Sequence, residues 1–440
     1  MRSWLLLGLA LAAGCGKQLN PDYCEAHAGD PDCVAHGFIA IDAAPPCMTD
    51  TDCPDPAHHV CDTAIRACVQ CTPTDHAACT GTTAACSTGD VCVGCTKDAD
   101  CGGGVCLVAS NTCADASTLL YASPSGATSG TCSMTAPCTL PYAVSIADAT
   151  HHVIELLGTS YNLNATLELG VEGLLLLPSQ GAKPVISTPS GTVFHVTKSV
   201  ELDGLEIQGT NDDIIVCDGS AGTVNLVLEQ VSVHGSTRDA INSSKCNVTI
   251  ERSRIFAVKE TAVWADDAVI NLRNSFIYSN GATSYQYAAV TLRGNTTGTL
   301  QFNTISYNTG YDQKIGIGPH QQEITQPSSL DCDQNGTNSV SVIGNLFIED
   351  GQVAVRYTAC SGNYTTDNFI GKASDANFAS PPTDLHLTQS TPTGTGKVRD
   401  DGNTNCSNDG QDIDGDARPQ NNACDYGADE FTGSPGSGGD

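Results

Sequence analysis

The chain has 440 residues, room for two or three domains, and carries 49 acidic against 19 basic side chains for a net charge of −30. That excess repels nucleic acid and anionic membrane faces and leaves cations as the favoured small partners. The 23 cysteines are concentrated in the first third, which points to an oxidising compartment and to cross-links where a large core is missing.

The N-terminus reads as an export signal. Arg2 gives it a positive start, and Trp4 to Leu11 form an apolar run too short to span a bilayer. The run ends Leu11-Ala12-Ala13-Gly14-Cys15, and setting Cys15 apart from the 23 cysteines leaves 22, an even number that can pair. Small residues directly before a cysteine resemble the bacterial lipoprotein signal, with Ala12 where that family usually carries Leu. The resemblance implies cleavage ahead of Cys15 and a lipid on its thiol. Lys17 offers no acidic retention signal, so the implied location is the outer membrane or cell surface, with the lipid as the sole membrane contact. In such a compartment Asn-x-Ser/Thr sequences such as Asn164-Ala165-Thr166 are turn formers rather than glycan acceptors. Residues 16–46 read as a linker in which Cys24 and Cys33 pair.

Residues 47–113 are a repeat. Cys47, Cys71 and Cys95 lie 24 residues apart, and each opens a four-cysteine cassette: 47/53/61/68, 71/79/86/92 and 95/101/106/113. Few large apolar residues stand between them, so each unit must be held by cross-links, two disulfides in any of three connectivities. The spacing Cys68-x2-Cys71 with Cys92-x2-Cys95 also fits a zinc ribbon, but the longer cysteine series in an exported chain favours disulfides. The cassettes resemble the Dickkopf-like repeats of bacterial surface lipoproteins, which implies a stalk or interaction module and no chemistry.

From Tyr121 onward short Val/Ile/Leu runs are broken by Gly, Asn, Asp and Ser, and no long amphipathic helix occurs. Aligning the runs places Gly204, Gln230, Arg252 and Asn274 at one anchor position, 26, 22 and 22 residues apart, with further matches at Asn303, Asn345 and Asn368. A period near 22 predicts a solenoid of about seven turns, so the fold class is all-β: a right-handed parallel β-helix over 119–400 behind a small disulfide-rich repeat region. Asn274, Asn303, Asn345 and Asn368 are expected to stack amide on amide. The register pairs Cys217 with Cys246 and Cys332 with Cys360 between neighbouring coils. Cys132 with Cys138 would close an entrance loop, and Cys406 with Cys424 would close a C-terminal segment over 401–440.

The phrases Leu120-Tyr121-Ala122-Ser123-Pro124, Ala136-Pro137-Cys138-Thr139-Leu140 and Val153-Ile154-Glu155-Leu156 resemble the opening of pectin-lyase-like right-handed parallel β-helix proteins. The resemblance implies a helix over 140–149 that caps the first coil. Asp412-Ile413-Asp414-Gly415-Asp416 and Cys424-Asp425-Tyr426-Gly427 resemble the closing segment of β-helix proteins of the choice-of-anchor type. Fold of this kind does not fix activity.

Two chemistries are compatible with this scaffold. A polysaccharide lyase acting on acidic glycans needs carboxylates that hold calcium and a basic side chain that takes a proton. Asp239, Asp266 and Asp267 with Arg238, Lys245, Lys259 and Arg273 are the candidates, although the register also stacks Lys245 on Asp267 and Arg238 on Glu260 as plain charge pairs. A hydrolase of the polygalacturonase type would use Asn211-Asp212-Asp213 and Asp266-Asp267, but its Gly-His-Gly and Arg-Ile-Lys motifs are missing. Asp412, Asp414 and Asp416 could hold Ca2+, without the full spacing of an EF-hand loop.

The favoured signal is aromatic. Seven of the 23 aromatic residues fall between Phe276 and Tyr311, and positions four after the anchors read His234, Phe256, Tyr278 and Tyr307. Rings on a rigid face stack on sugars, whereas the same rings inside the coil would be core. The expected binding set is Tyr278, Tyr285, Tyr287, Tyr307, Tyr311, His320 and Glu323, the last three in an insertion over 309–338. The sequence therefore favours a cell-surface glycan-binding, adhesive or envelope-contact scaffold without catalytic residues. A lyase or hydrolase and a purely architectural protein are the alternatives.

Overall fold

The computed structural model describes residues 47–72, 75, 79, 83–101, 104–107, 111–282, 287–309, 312–315, 322–325, 329–332, 338–348, 355–356, 367–394, 396–399, 410–420 and 423–432. Cys15, Cys24 and Cys33 lie outside them. The chain divides into two compact units at Cys113/Ala114.

The first unit is three small hairpins in series, Val60–Asp62 with Ala67–Val69, Ala85–Cys86 with Cys92–Val93, and Val105–Leu107 with Thr112–Ala114. Of the three connectivities open to each cassette, all adopt the same one, first cysteine to third and second to fourth: 47–61 and 53–68, 71–86 and 79–92, 95–106 and 101–113. The interior is little more than sulfur, since the buried cluster of the first cassette is Cys47, Cys53 and Cys61. Aspartates replace the missing apolar contacts. Asp50 Oδ1 accepts from Cys61 N at 2.7 Å and Asp98 Oδ1 from Cys106 N at 2.9 Å, while Asp52 and Asp100 each cap the two amides before them. The acidic residues between the cysteines thus fold the loops that the disulfides close.

The second unit is the expected parallel β-solenoid. Each coil contributes a strand to a first nine-stranded sheet, a second nine-stranded sheet and a third eight-stranded sheet, all with parallel neighbours. Alternation decides which face is buried. Leu202, Leu228, Ile250, Leu272, Leu300 and Val342 stack inward in the first sheet. Ile207, Val233, Ile255, Ile277, Ile305 and Phe347 do so in the second. All are 0 or 1% exposed and belong to one continuous core. The helix at the entrance is Leu140–Ile146, shorter than the expected span because Asp148 turns the chain through its own side chain. Its Leu140, Ala143 and Val144 close the apolar end of the stack. Cys132 pairs with Cys138 and Cys217 with Cys246, as the register requires. Cys332 and Cys424 are also disulfide-bonded, and Cys360 and Cys406 lie outside the described residues.

One part of the sequence alignment slips by a residue. Phe276 pairs with Thr304, which sets Asn303 beside Ser275 and not beside Asn274. The true anchor column is Gly204, Gln230, Arg252, Asn274, Phe302 and Gly344, each with φ between 48° and 71° in the left-handed region. This turn between the first two sheets needs that conformation, and the residue type is secondary. The amide ladder stands one position later. Asn303 Nδ2 donates to Asn345 Oδ1 at 2.9 Å, and Asn345 Nδ2 to Asn368 Oδ1 at 2.8 Å; Ser253 and Ser275 continue the column below. Asn274, by contrast, has no hydrogen-bond partner for either side-chain atom. A second ladder, unforeseen from sequence, joins Asn280 Nδ2 to Asn308 Oδ1 at 3.1 Å.

Candidate functional site

The outward column of the third sheet reads Glu168, His195, Val216, Asn242, Trp264, Thr291 and Asp331. Because Val263 and Ala265 are fully buried, alternation forces the Trp264 indole to face out, where it remains partly exposed. Tyr287 comes from the loop that joins the second sheet to the third and meets Trp264 edge-on, with centroids 4.9 Å apart and planes at 87°. Thr291 Oγ1 donates to Ala288 O at 3.0 Å, tying that loop to the sheet. The Arg293 guanidinium lies 5.0 Å from the Tyr287 centroid and 5.6 Å from that of Trp264. Its Nη2 donates to Asp331 Oδ2 at 3.1 Å, and Asp331 is fully buried. One coil below, Asn242 Nδ2 donates to Asp213 Oδ2 at 2.9 Å. Two rings, a guanidinium and fixed carboxylates and amides thus share one rigid face.

Of the expected binding residues, Tyr287 joins this group. Tyr285, Tyr311 and His320 lie outside the described residues, and Glu323 lies on the backbone of a hairpin, Asp312–Ile315 with Gln322–Thr325. Tyr278 and Tyr307 sit elsewhere, on the second sheet. There His234, Phe256 and Tyr278 form the expected stack, with centroids 4.6 and 5.0 Å apart. The aligned position in the next coil is Ser306, so Tyr307 is one residue out of the column. Neither reading offered for the rings holds for Tyr278. It faces out of the coil, yet it is 7% exposed because Phe378, Leu385, Leu387 and Tyr426, from later stretches of the chain, pack over this sheet. Trp264 and Arg293 went unmarked in the sequence. The available signal was Trp264 standing 22 residues after Asn242 at an outward position.

The seven lyase candidates do not form one cluster. Arg238, Asp239 and Lys259 lie between the second and third sheets, Lys245, Asp266 and Asp267 between the third and first, and Arg273 at the end of a first-sheet strand. Arg238 contacts Asp213 at 3.3 Å and Glu260 at 3.7 Å, Arg273 Nη2 donates to Glu251 Oε2 at 2.8 Å, and Asp267 Oδ1 accepts from Asn295 N at 2.9 Å. Asp239 accepts from Thr261 N at 2.7 Å, and burial, with Asp213 and Glu260 adding to it, pushes it up to about 7.

A column of acids on the first sheet behaves in the same way. Asp203 pairs in register with Glu229, and Glu229 with Glu251. Burial, reinforced by Glu201, holds Asp203 up to about 6, and burial likewise lifts Glu229 to about 7 although Arg252 donates to it through Nε at 2.7 Å. Asp203 and Asp239 titrate higher in the folded chain than the unfolded value near 3.9, so folding takes up protons. Stability is greatest below the unfolded value and is lost as pH rises through 6 to 7. Carboxylates held low, such as Asp148 by the amides of Thr150 and His151, set the acid limit. The thermal midpoint is expected several degrees higher at pH 5 than at pH 8. A midpoint that is flat or rises over that interval would refute the assignment.

The acidic run near the C-terminus does not bring its three aspartates together. Asp412 Oδ1 accepts from Asp414 N and Asp416 N at 2.9 and 2.8 Å, and its Oδ2 accepts from Glu430 N at 2.9 Å. It is a buried turn former. Asp414 faces away, toward His386 and Arg254.

No protein-family model matches this sequence, and no curated protein matches it. Two solved structures are similar in part. A pectate lyase, Pel9A, is 13% identical with a TM-score of 0.37, over 71% of this chain and 96% of that one. A rhamnogalacturonan lyase is 12% identical with a TM-score of 0.25, over 63% of this chain and 97% of that one. The class is defined by the backbone itself: a parallel β-solenoid preceded by disulfide cassettes.

Proposed function

We propose that the chain is an exported lipoprotein, anchored through Cys15 at the outer membrane or cell surface, whose solenoid binds polysaccharide without turnover. The choice-of-anchor resemblance of the closing segment accords with this reading. The observation that carries it is the Trp264, Tyr287 and Arg293 group on the third sheet. The rings offer apolar surface to the C–H faces of sugars, and the half-buried Asn242 amide and Arg293 guanidinium, held by the buried Asp213 and Asp331, suit hydroxyl groups. The net charge of −30 opposes dense polyanions, so neutral or amino-sugar glycans are the favoured ligands.

The test is one panel of polysaccharides presented to the mature chain, scoring both retention and new reducing or unsaturated ends, with Trp264→Ala and Cys15→Ser beside it. Trp264→Ala is expected to weaken retention about ten-fold, roughly 1.4 kcal/mol, without loss of fold. Cys15→Ser is expected to leave glycan retention intact and to abolish fatty-acid labelling and membrane recovery. Product formation, or undiminished binding by Trp264→Ala, would overturn the glycan reading; labelling that survives Cys15→Ser would overturn the anchor.

A further inference from the structure

The stretches around Leu385, Ile413 and Tyr426 form a C-terminal segment that shares one buried cluster with the second sheet, and at one point among them the hydrogen bonds do not close. His386, Asp414 and Asp429 come from three separate stretches of that segment and place one ligand atom each within 4.8 Å of one another. Asp384 holds the other side of the imidazole, pairing with Nδ1 and accepting the His386 amide on Oδ1 at 3.1 Å. An ionised carboxylate only accepts, so Nδ1 turns its proton to Asp384, and Nε2 faces inward as the nitrogen left to ligate. There it meets Asp414 Oδ2 at 2.9 Å. Both atoms are shut off from solvent, and they meet as an ion pair without a regular hydrogen bond. Asp429, 7% exposed, uses Oδ2 to accept from Leu387 N at 2.6 Å. The nearest balancing cation is Arg254, 4.0 Å from Asp414 Oδ1, and the Phe276 ring walls the site edge-on at 5.2 Å.

We propose that His386 Nε2, Asp414 and Asp429 bind a divalent first-row transition ion of the Zn2+ type that pins the C-terminal segment to the solenoid. The imidazole nitrogen and the carboxylate oxygen, 2.9 Å apart, have the spacing of adjacent ligands at about 90° on an ion with bonds of about 2.0–2.1 Å. The imidazole selects against Ca2+ and Mg2+, which take oxygen ligands. Asp384 acts as the positioning carboxylate behind the histidine, and Asp412 stays outside the set because backbone amides occupy its oxygens. The ion would be structural, adding a bond among segments already joined by packing and by hydrogen bonds such as Leu387 N to Asp429 Oδ2.

The full chain, stripped with a chelator and dialysed against Zn2+, is expected to retain one ion and to melt at a higher temperature than the stripped protein. His386→Gln and Asp429→Asn are expected to lose that ion, and Asp384→Asn to weaken binding ten-fold or more. X-ray absorption of the zinc-loaded wild type, which does not depend on any variant folding, is expected to show one imidazole nitrogen among oxygen ligands. No retained ion, a zinc shell without imidazole, or equal retention by folded His386→Gln would each overturn the proposal.

Discussion

An Arg418→Met chain is expected to lose about 3–5 kcal/mol of stability, with the closing segment the first part to open. Arg418 and Glu430 are 0 and 1% exposed in their side chains and lie 3.3 Å apart. Arg418 also donates to Gly427 O at 2.8 Å and Asp425 O at 3.3 Å, and its guanidinium sits 4.9 Å over Phe302. Through these contacts one cation binds the last turns of the segment to each other and to the coil beneath. Glu430 in turn accepts from Gln420 N and Asp425 N, both at 3.0 Å. Removing the cation alone leaves a buried carboxylate and two carbonyls uncompensated, whereas Arg418→Met with Glu430→Gln should recover much of the loss. Urea unfolding together with limited proteolysis mapped to 410–432 measures both. A loss under about 1 kcal/mol, well below the range for a broken buried pair, would show that this pair does not organise the segment.

Asn345→Ala should cost about 3 kcal/mol or more, the sum of several buried groups each left unsatisfied at ~1–3 kcal/mol. Its Oδ1 accepts from both the backbone and the side-chain amide of Asn303 at 2.9 Å, and its Nδ2 donates to Leu300 O and Asn368 Oδ1 at 2.8 Å. Four groups on the two flanking coils lose a partner at once. The contrasting variant is Asn274→Gly, which removes an amide with no partner and a strained φ of 48° at a position where other coils carry Gly204 and Gly344. It should change stability by less than about 1 kcal/mol, because relief of strain offsets the small cavity. Denaturant titrations of the two variants decide the register. If Asn274→Gly proved the costlier change, the ladder would have been placed one residue wrong.

Much of the solenoid was legible because its signal is local and repeated. Apolar residues at alternate positions, returning after 22, announce strands whose one face is buried, and the disulfide between Cys217 and Cys246 confirms the offset between coils. The slip at Asn303 arose because asparagine serves two neighbouring turn positions for different reasons. At 274 it tolerates a left-handed backbone, and at 303 it hydrogen-bonds up and down the stack. Residue identity alone does not separate those roles. The ring cluster is divided for a similar reason: Tyr278 and Tyr287 are nine residues apart in sequence, but Tyr278 ends a strand of the second sheet and Tyr287 stands in the loop that leads to the third.

What the amino-acid sequence determined unaided was that the cassettes are disulfide-linked, the coil period and the inward face of each strand, since each follows from spacing along a short stretch of chain; which cysteine pairs with which was decided by the fold. Which outward face stays open was settled only in three dimensions. The second sheet lost its ring ladder to a segment whose Leu385 and Leu387 lie more than a hundred residues beyond Tyr278, and the third sheet kept Trp264 partly exposed. An exposed and a covered ring obey the same alternation. The difference between them is a long-range packing contact, which stabilises by removing apolar area from water and leaves no periodic trace in the residues it covers.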